Sequence, residues 1–220
     1  MKIIIDQQIK ALVPEFNIIA HEMDVVVTKT EAVQELIKET EKELQVKYTI
    51  EDVIHIPTIK EGRDGYKKFG KDPSRYRLAV ESLYRRIVKN YNLYSINDVV
   101  DIGNILSIRT MRSTAILDYN QIMGDVLVRL GTADDDYEGI NRGKINVENI
   151  PVYVDDLGPF GSTTSDTIRT SITDETTKIL VLIICFSNEN IESNINEMTE
   201  LYTKYCNAQN IRRIEVKSEE

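Results

Sequence analysis

Eight consecutive residues, Ile179 to Phe186, carry no polar side chain. Such a run is far too short to cross a membrane as a helix and suits a strand buried on both faces. A strand of that kind forces the rest of the chain to cover a sheet. From Ala115 onward the apolar period is two: Val126, Val128 and Leu130 alternate with polar residues, as do Val152 and Val154. Nearer the start, Ile3–Ile5 and Asn17–Val27 read as strands. Between them Gln7–Val13 makes two helical turns, ended by Pro14.

Helical spacing occupies most of the remainder. Thr28 and Glu31 have capping-box spacing ahead of a face made by Val33, Leu36, Ile37, Thr40 and Leu44. Thr49 and Asp52 give a second start signal, and Pro57 is expected to end or kink that helix. Helix is expected between the glycines of 57–70, with Gly70–Ser74 as a loop. A strong helix follows, with Val80, Leu83, Tyr84, Ile87, Val88 and Tyr91 inward. Another runs from Asn97 to Arg109, with Val100, Ile105 and Ile108 inward and Asn104 among them. The acidic connection Gly131–Asn149 reads as a loop or hairpin. A stripe of Ile191, Ile195, Met198, Tyr202 and Tyr205 marks the last helix, and Ile211–Val216 a last strand. The expected fold is α/β (α+β): a single domain over residues 1–220, with a mixed central sheet covered by helices.

Net charge is −9, which argues against a nucleic-acid partner until its distribution is considered. Between Lys60 and Lys89 ten basic residues face four acidic ones, a local excess of +6. Segregated charge attracts a polyanion locally. From charge alone, a solvated helical face paired with acidic neighbours is the plainer reading. The two cysteines, Cys185 and Cys206, are too few for a disulfide framework. Reduced, buried thiols and a cytoplasmic setting are expected, with neither a membrane span nor a secretory signal. No Gly-rich phosphate loop and no metal-ligand spacing occurs, so no cofactor and no metal are expected. His21 and His55 are the only histidines, and both read as structural or surface residues, which disfavours Ser-His-Asp or Cys-His catalysis.

Several short motifs in order carry a resemblance. Val99-Val100-Asp101-Ile102-Gly103-Asn104-Ile105 resembles the Val-Val-Asp-Val-Thr-Asn-Tyr motif of the B3/4 editing domain of the bacterial phenylalanyl-tRNA synthetase beta subunit. Asp118 and Ile122 echo its Phe-Asp-Leu-Asp-Lys-Ile, and Asp125–Arg129 its following strand. Free-standing members are more similar still, through Arg63–Lys68, Pro73–Arg77, Leu83–Arg86 and Asp166–Thr170. The resemblance is strongest over about 57–220, with about 1–56 an N-terminal strand-helix part.

The resemblance implies tRNA or aminoacyl-tRNA as partner, with no DNA expected, and the tasks of that editing domain: hydrolysis of mischarged aminoacyl-tRNA. A positioned water with backbone donors suffices for such an ester, so no histidine nucleophile is required. The ligand-pocket residues it implies are Gly103, Asn104, Asp118, Gly158, Gly161 and Ser162, while the basic segment offers Arg63, Lys67, Lys68, Lys71, Arg75 and Arg77 for RNA. Asn104 also reads as a structural residue bonding a neighbouring strand, and the glycines as turn formers. No catalytic group is assigned. The family's histidine corresponds to Ala115, or to Thr114 under a one-residue shift, and its tyrosine-reading glutamate to Leu182. Loss of that acceptor implies loss of tyrosine selection by the same means. Three functions follow: a trans-acting deacylase that does not itself aminoacylate, a non-catalytic RNA-binding module, and an amino-acid-like small-molecule binder without an RNA partner.

Overall fold

The computed structural model describes residues 1–219. In chain order, β1 (Ile3–Ile5), α1 (Gln7–Leu12) and β2 (Asn17–Asp24) precede four helices. These are α2 (Glu31–Lys47), α3 (Pro57–Lys68), α4 (Ala79–Val88) and α5 (Asp98–Thr110). The strands β3 (Thr114–Asp118), β4 (Val126–Leu130), β5 (Glu138–Gly139), β6 (Gly143–Lys144), β7 (Pro151–Asp155) and β8 (Gly158–Ser162) follow. The chain then forms β9 (Lys178–Cys185), α6 (Ile191–Cys206), β10 (Gln209–Arg213) and β11 (Val216–Ser218).

The apolar octet supplies all of β9 except Lys178, buried from Ile179 through Cys185, with Phe186 just beyond it. It lies between β2 and β3 in an antiparallel sheet of order β10-β2-β9-β3. Each fully covered Leu or Ile there contributes about 1.5–3 kcal/mol of transfer free energy. A charged side chain at any of these positions would have no water and no partner. The mixed sheet is a second one, of order β11-β1-β4-β7-β8, parallel across β11-β1-β4 and antiparallel beyond. The α+β class thus holds, with the strands divided between two larger sheets and the separate β5–β6 hairpin. The expected last strand, Ile211–Val216, divides likewise into β10 in one sheet and β11 in the other. Ile214 between them donates its amide to Ala20 O (2.9 Å).

Three local expectations change. The cap of α2 is Thr30, whose hydroxyl accepts from Val33 N, because Thr28 is occupied with Asp98 (2.8 Å). Pro57 starts a helix instead of ending one. The Thr49–Asp52 signal yields only a 3-10 turn at Val53–His55, and Pro57 takes the first position of α3, where its missing N–H is no loss. Tyr91 falls beyond α4 and is 59% exposed. The helix starting at Asn97 is as expected. The Asn97 side chain accepts from Val100 N (3.0 Å), and buried Asp98 accepts from Thr30 N (3.0 Å). Both oxygens lie at the positive end of the α5 dipole.

Candidate functional site

A cavity of about 310 Å³ opens where α5, β3 and the segment linking β8 to β9 meet. Val100, Gly103 and Asn104 supply one wall, and Thr114 and Ile116 a second. Ile96, Ile140 from the β5–β6 hairpin, and Asp166, Ile168, Thr170, Ser171 and Ile172 supply the rest. The lining is mainly aliphatic, and the volume sits at the small end for ligand pockets, that of one amino-acid-sized group. Gly103 lets α5 approach β3 closely. A Cβ there would stand 2.3 Å from Ile116 Cγ1 and 3.1 Å from the Tyr202 hydroxyl. Thr114 Oγ1 donates to Gly103 O (3.0 Å), fixing the helix on the strand. That hydrogen bond ties helix to strand through Gly103 and leaves Asn104 on the cavity wall.

The distinctive group in this lining is Asp166. Its Oδ1 is enclosed and has no hydrogen-bond partner, and burial pushes its carboxyl from the ordinary 3.8 up to about 7, with a Ser162 backbone hydrogen bond opposing. Gly161 makes room for it: a Cβ there would lie 2.8 Å from Asp166 Oδ1 and 2.7 Å from the Tyr153 ring. The segment carrying Asp166 is clamped from several sides. The Tyr66 hydroxyl of α3 bonds the hydroxyls of Thr163 and Thr164, and Tyr137 donates to Ser165 O. Ser162 Oγ accepts from Ser165 N (3.0 Å). Arg169 forks onto Asp155 (2.8 and 3.0 Å). Burial works against that Asp155 carboxylate, but Arg169 and the amides of Met123 and Leu157 hold it below the ordinary value.

The B3/4 domain family model matches residues 62–212, a span that includes every cavity-lining residue. The chain belongs to the B3/4 domain family. Among solved structures it resembles the N-terminal fragment of the phenylalanyl-tRNA synthetase beta-subunit from Pyrococcus horikoshii, with a TM-score of 0.56 at 11% identity. That similarity covers 99% of this chain and 52% of the other, so the chain spans about half the length of its structural neighbour. At this identity the likeness speaks to the fold. No curated protein matches the chain.

Of the pocket residues read from the sequence, this B3/4 domain places Gly103 and Asn104 on the cavity. Gly161 and Ser162 stand behind it and shape the seat of Asp166. Asp118 lies elsewhere, accepting from Asn120 N (3.0 Å) and from the Thr176 hydroxyl (2.7 Å). Gly158 also lies away from it, opening β8 at φ +115° with Gly158 O turned toward Arg169 (3.4 Å). Thr114 and Ile116 face the cavity. Because side chains alternate along a strand, Ala115 and its cross-strand partner Leu182 point to the opposite face. The apolar residue at Leu182 therefore does not form the wall of this cavity.

The basic residues also separate. Arg63 Nη1 is held by buried Glu81 (2.8 and 2.9 Å), which also takes Arg85 (2.8 Å). Lys67 pairs with Asp64 (3.0 Å), as Lys60 does (2.7 Å), while Lys68 is exposed nearby. Lys71 is buried, donating to Asn146 O (3.0 Å) and Glu148 O (2.7 Å). Burial lowers its pKa, with Glu148 opposing. Arg63 and Lys71 are thus both engaged by partners within the chain. Arg75 and Arg77 instead line an open cleft with Arg142 and Lys144. Neither histidine lines the cavity. Cys185 and Cys206 are free and buried, and burial pushes their thiols up to about 11 and about 12. Among the described residues, no helix is long and apolar enough to cross a membrane, and no group of His, Cys, Asp or Glu is placed to hold a metal.

Proposed function

We propose that the chain binds aminoacyl-tRNA and hydrolyses its ester in this cavity, with Asp166 as general base. The observation that carries the reading is the half-buried Asp166 carboxyl, with one oxygen enclosed and unpartnered, at the wall of an aliphatic cavity sized for one amino acid. A carboxyl that titrates near neutrality is ionised enough to take a proton from water and basic enough to do so efficiently. The family membership supports the tRNA side of the reading, since the similar solved fragment comes from a tRNA synthetase.

In the proposed reaction the amino-acid side chain lies among Val100, Ile116 and Ile172. Asp166 takes a proton from a water, whose oxygen attacks the ester carbonyl carbon. Asn104 is the side-chain amide on the facing wall and would donate to the oxyanion. Collapse breaks the bond to the ribose oxygen, and Asp166 returns its proton to that leaving oxygen. Products are a free amino acid and a tRNA with a free 3′ end. The apolar lining predicts an apolar amino acid.

Incubating purified protein with a panel of aminoacyl-tRNAs and measuring released amino acid tests this. Release from tRNAs carrying apolar residues is expected. No release above the spontaneous rate for any member of the panel contradicts it.

A further inference from the structure

The cleft beside Arg75 and Arg77 has a composition the cavity does not explain. It holds about 400 Å³ between the loop entering α4 and the β5–β6 hairpin. Arg75 and Arg77 line one side, Arg142 and Lys144 the other, with the hydroxyls of Ser82 and Thr164 beside them. Among its described lining residues there is no carboxylate. We propose that this cleft is a phosphodiester site, holding the RNA strand whose aminoacylated 3′ end enters the cavity. The proposal rests on the aminoacyl-tRNA reading above.

Three observations support it. First, its cations are available. Among the described residues only Lys144 of these four is in an ion pair, with Asp136 at 3.2 Å, and those side chains are 82% and 84% exposed. Such a pair is worth little and is readily exchanged for a phosphate. The cations of α3 are different: Lys60 and Lys67 both pair with Asp64, and Arg63 is held on Glu81.

Second, the walls are tied together before any ligand arrives. Lys71 leaves the loop to bond Asn146 O and Glu148 O just beyond the hairpin, and its Nζ lies 3.9 Å over the Tyr76 ring. Tyr76 itself lines the cleft. A gap already held open requires less ordering on binding.

Third, cleft and cavity adjoin along both walls. Thr164 lines the cleft and Asp166 the cavity, and Arg142 and Ile140 divide in the same way. Two residues of extended chain span at most about 7 Å. One nucleotide covers a gap of that size, so a strand whose last ribose sits at the cavity mouth would bring its preceding phosphates to these arginines.

Binding of a 5′-fluorescein-labelled, single-stranded RNA of twelve nucleotides with a free 3′ end, followed by anisotropy of the full chain across a salt series, tests the site. Arg75→Glu combined with Arg142→Glu is expected to weaken binding at least tenfold. It should also flatten the log–log salt slope by roughly 0.7 for each lost contact. Lys60→Glu combined with Lys67→Glu makes the same change in net charge outside the cleft and is expected to shift affinity less than threefold. Thermal unfolding of each variant checks folding, and Arg75→Gln with Arg142→Gln should keep the same ranking if the glutamate pair misfolds. Equal losses in the two double variants, wild-type binding by the cleft variant, or no RNA binding by the unsubstituted chain overturns the proposal. The outcome is separable from hydrolysis. RNA binding that depends on the cleft, with no amino acid released from any aminoacyl-tRNA, overturns the deacylase reading and leaves the cleft standing.

Discussion

The cavity and the cleft share the β5–β6 hairpin and treat charge in opposite ways. The cavity is small and mainly aliphatic, and its carboxylate Asp166 has an oxygen with no partner. The cleft is open and polar, with four cations along its walls. Elsewhere several buried or half-buried charges are neutralised in place: Glu81 between Arg63 and Arg85, Arg169 on Asp155, Arg129 on Asp135. The difference teaches that the number of charges in a segment says little about where it acts. Within the +6 stretch Lys60 and Lys67 pair with Asp64, and Arg63 and Arg85 with Glu81, so the positions that matter are those where charge is left over.

Substitutions can break or sharpen that contrast. The largest effect on stability is expected from a paired charge. Glu81→Gln leaves two partly buried guanidiniums without their carboxylate and should destabilise the chain by about 3–5 kcal/mol, read from urea unfolding. Retention of wild-type stability would erase the distinction between paired and leftover charge.

The unpaired charge should behave in the reverse sense. Asp166 binds its proton more tightly folded than unfolded, so the folded state holds the extra proton between about pH 4 and 7. Its contribution to stability is fully present below the unfolded value of 3.8 and is lost as pH rises through about 7. Asp166→Asn should therefore be more stable than wild type at pH 8, by about 2–4 kcal/mol, and the advantage should fade toward pH 4. Unfolding midpoints at the two ends of that range check it.

Gly103→Ala comes next. The added methyl group meets Ile116 Cγ1 and crowds the wall between α5 and β3. A loss of about 1–3 kcal/mol is expected, visible as a lower Tm. The smallest effect belongs to the exposed pair. Lys67→Glu should change stability by less than about 0.5 kcal/mol, since its bond to Asp64 lies in water.

Much of the fold is legible in the sequence because single-element signals are local. The octet of β9, the Asn97 cap and the α6 stripe each need only their own neighbours in the chain. The division into two sheets is not, since it depends on which strands pair, and alternation in β4 or β7 carries no partner label. Pro57 misleads because a helix end and a helix start both tolerate proline. For the site, Gly103 and Asn104 come from a motif on one helix. Asp166 stands in a quoted motif but offers no local sign of its role. Its environment is assembled by Tyr66 and Tyr137 from distant stretches and by nearby Gly161, and the enclosure of its Oδ1 is a property of that assembly. The same holds for Arg142 and Lys144, which read as loop charges until the hairpin brings them opposite Arg75 and Arg77.

The central claim is that the leftover carboxylate in the cavity does the chemistry. Single-turnover deacylation of an apolar aminoacyl-tRNA, followed from pH 5 to 9 for wild type and Asp166→Asn, tests it most directly. The account predicts a protein-dependent rate that rises and levels off around pH 7 in the wild type. In the asparagine variant, folded by circular dichroism, the rate should fall by roughly 100-fold or more with that inflection gone. An Asp166→Asn protein that keeps the wild-type rate and pH profile would contradict the account.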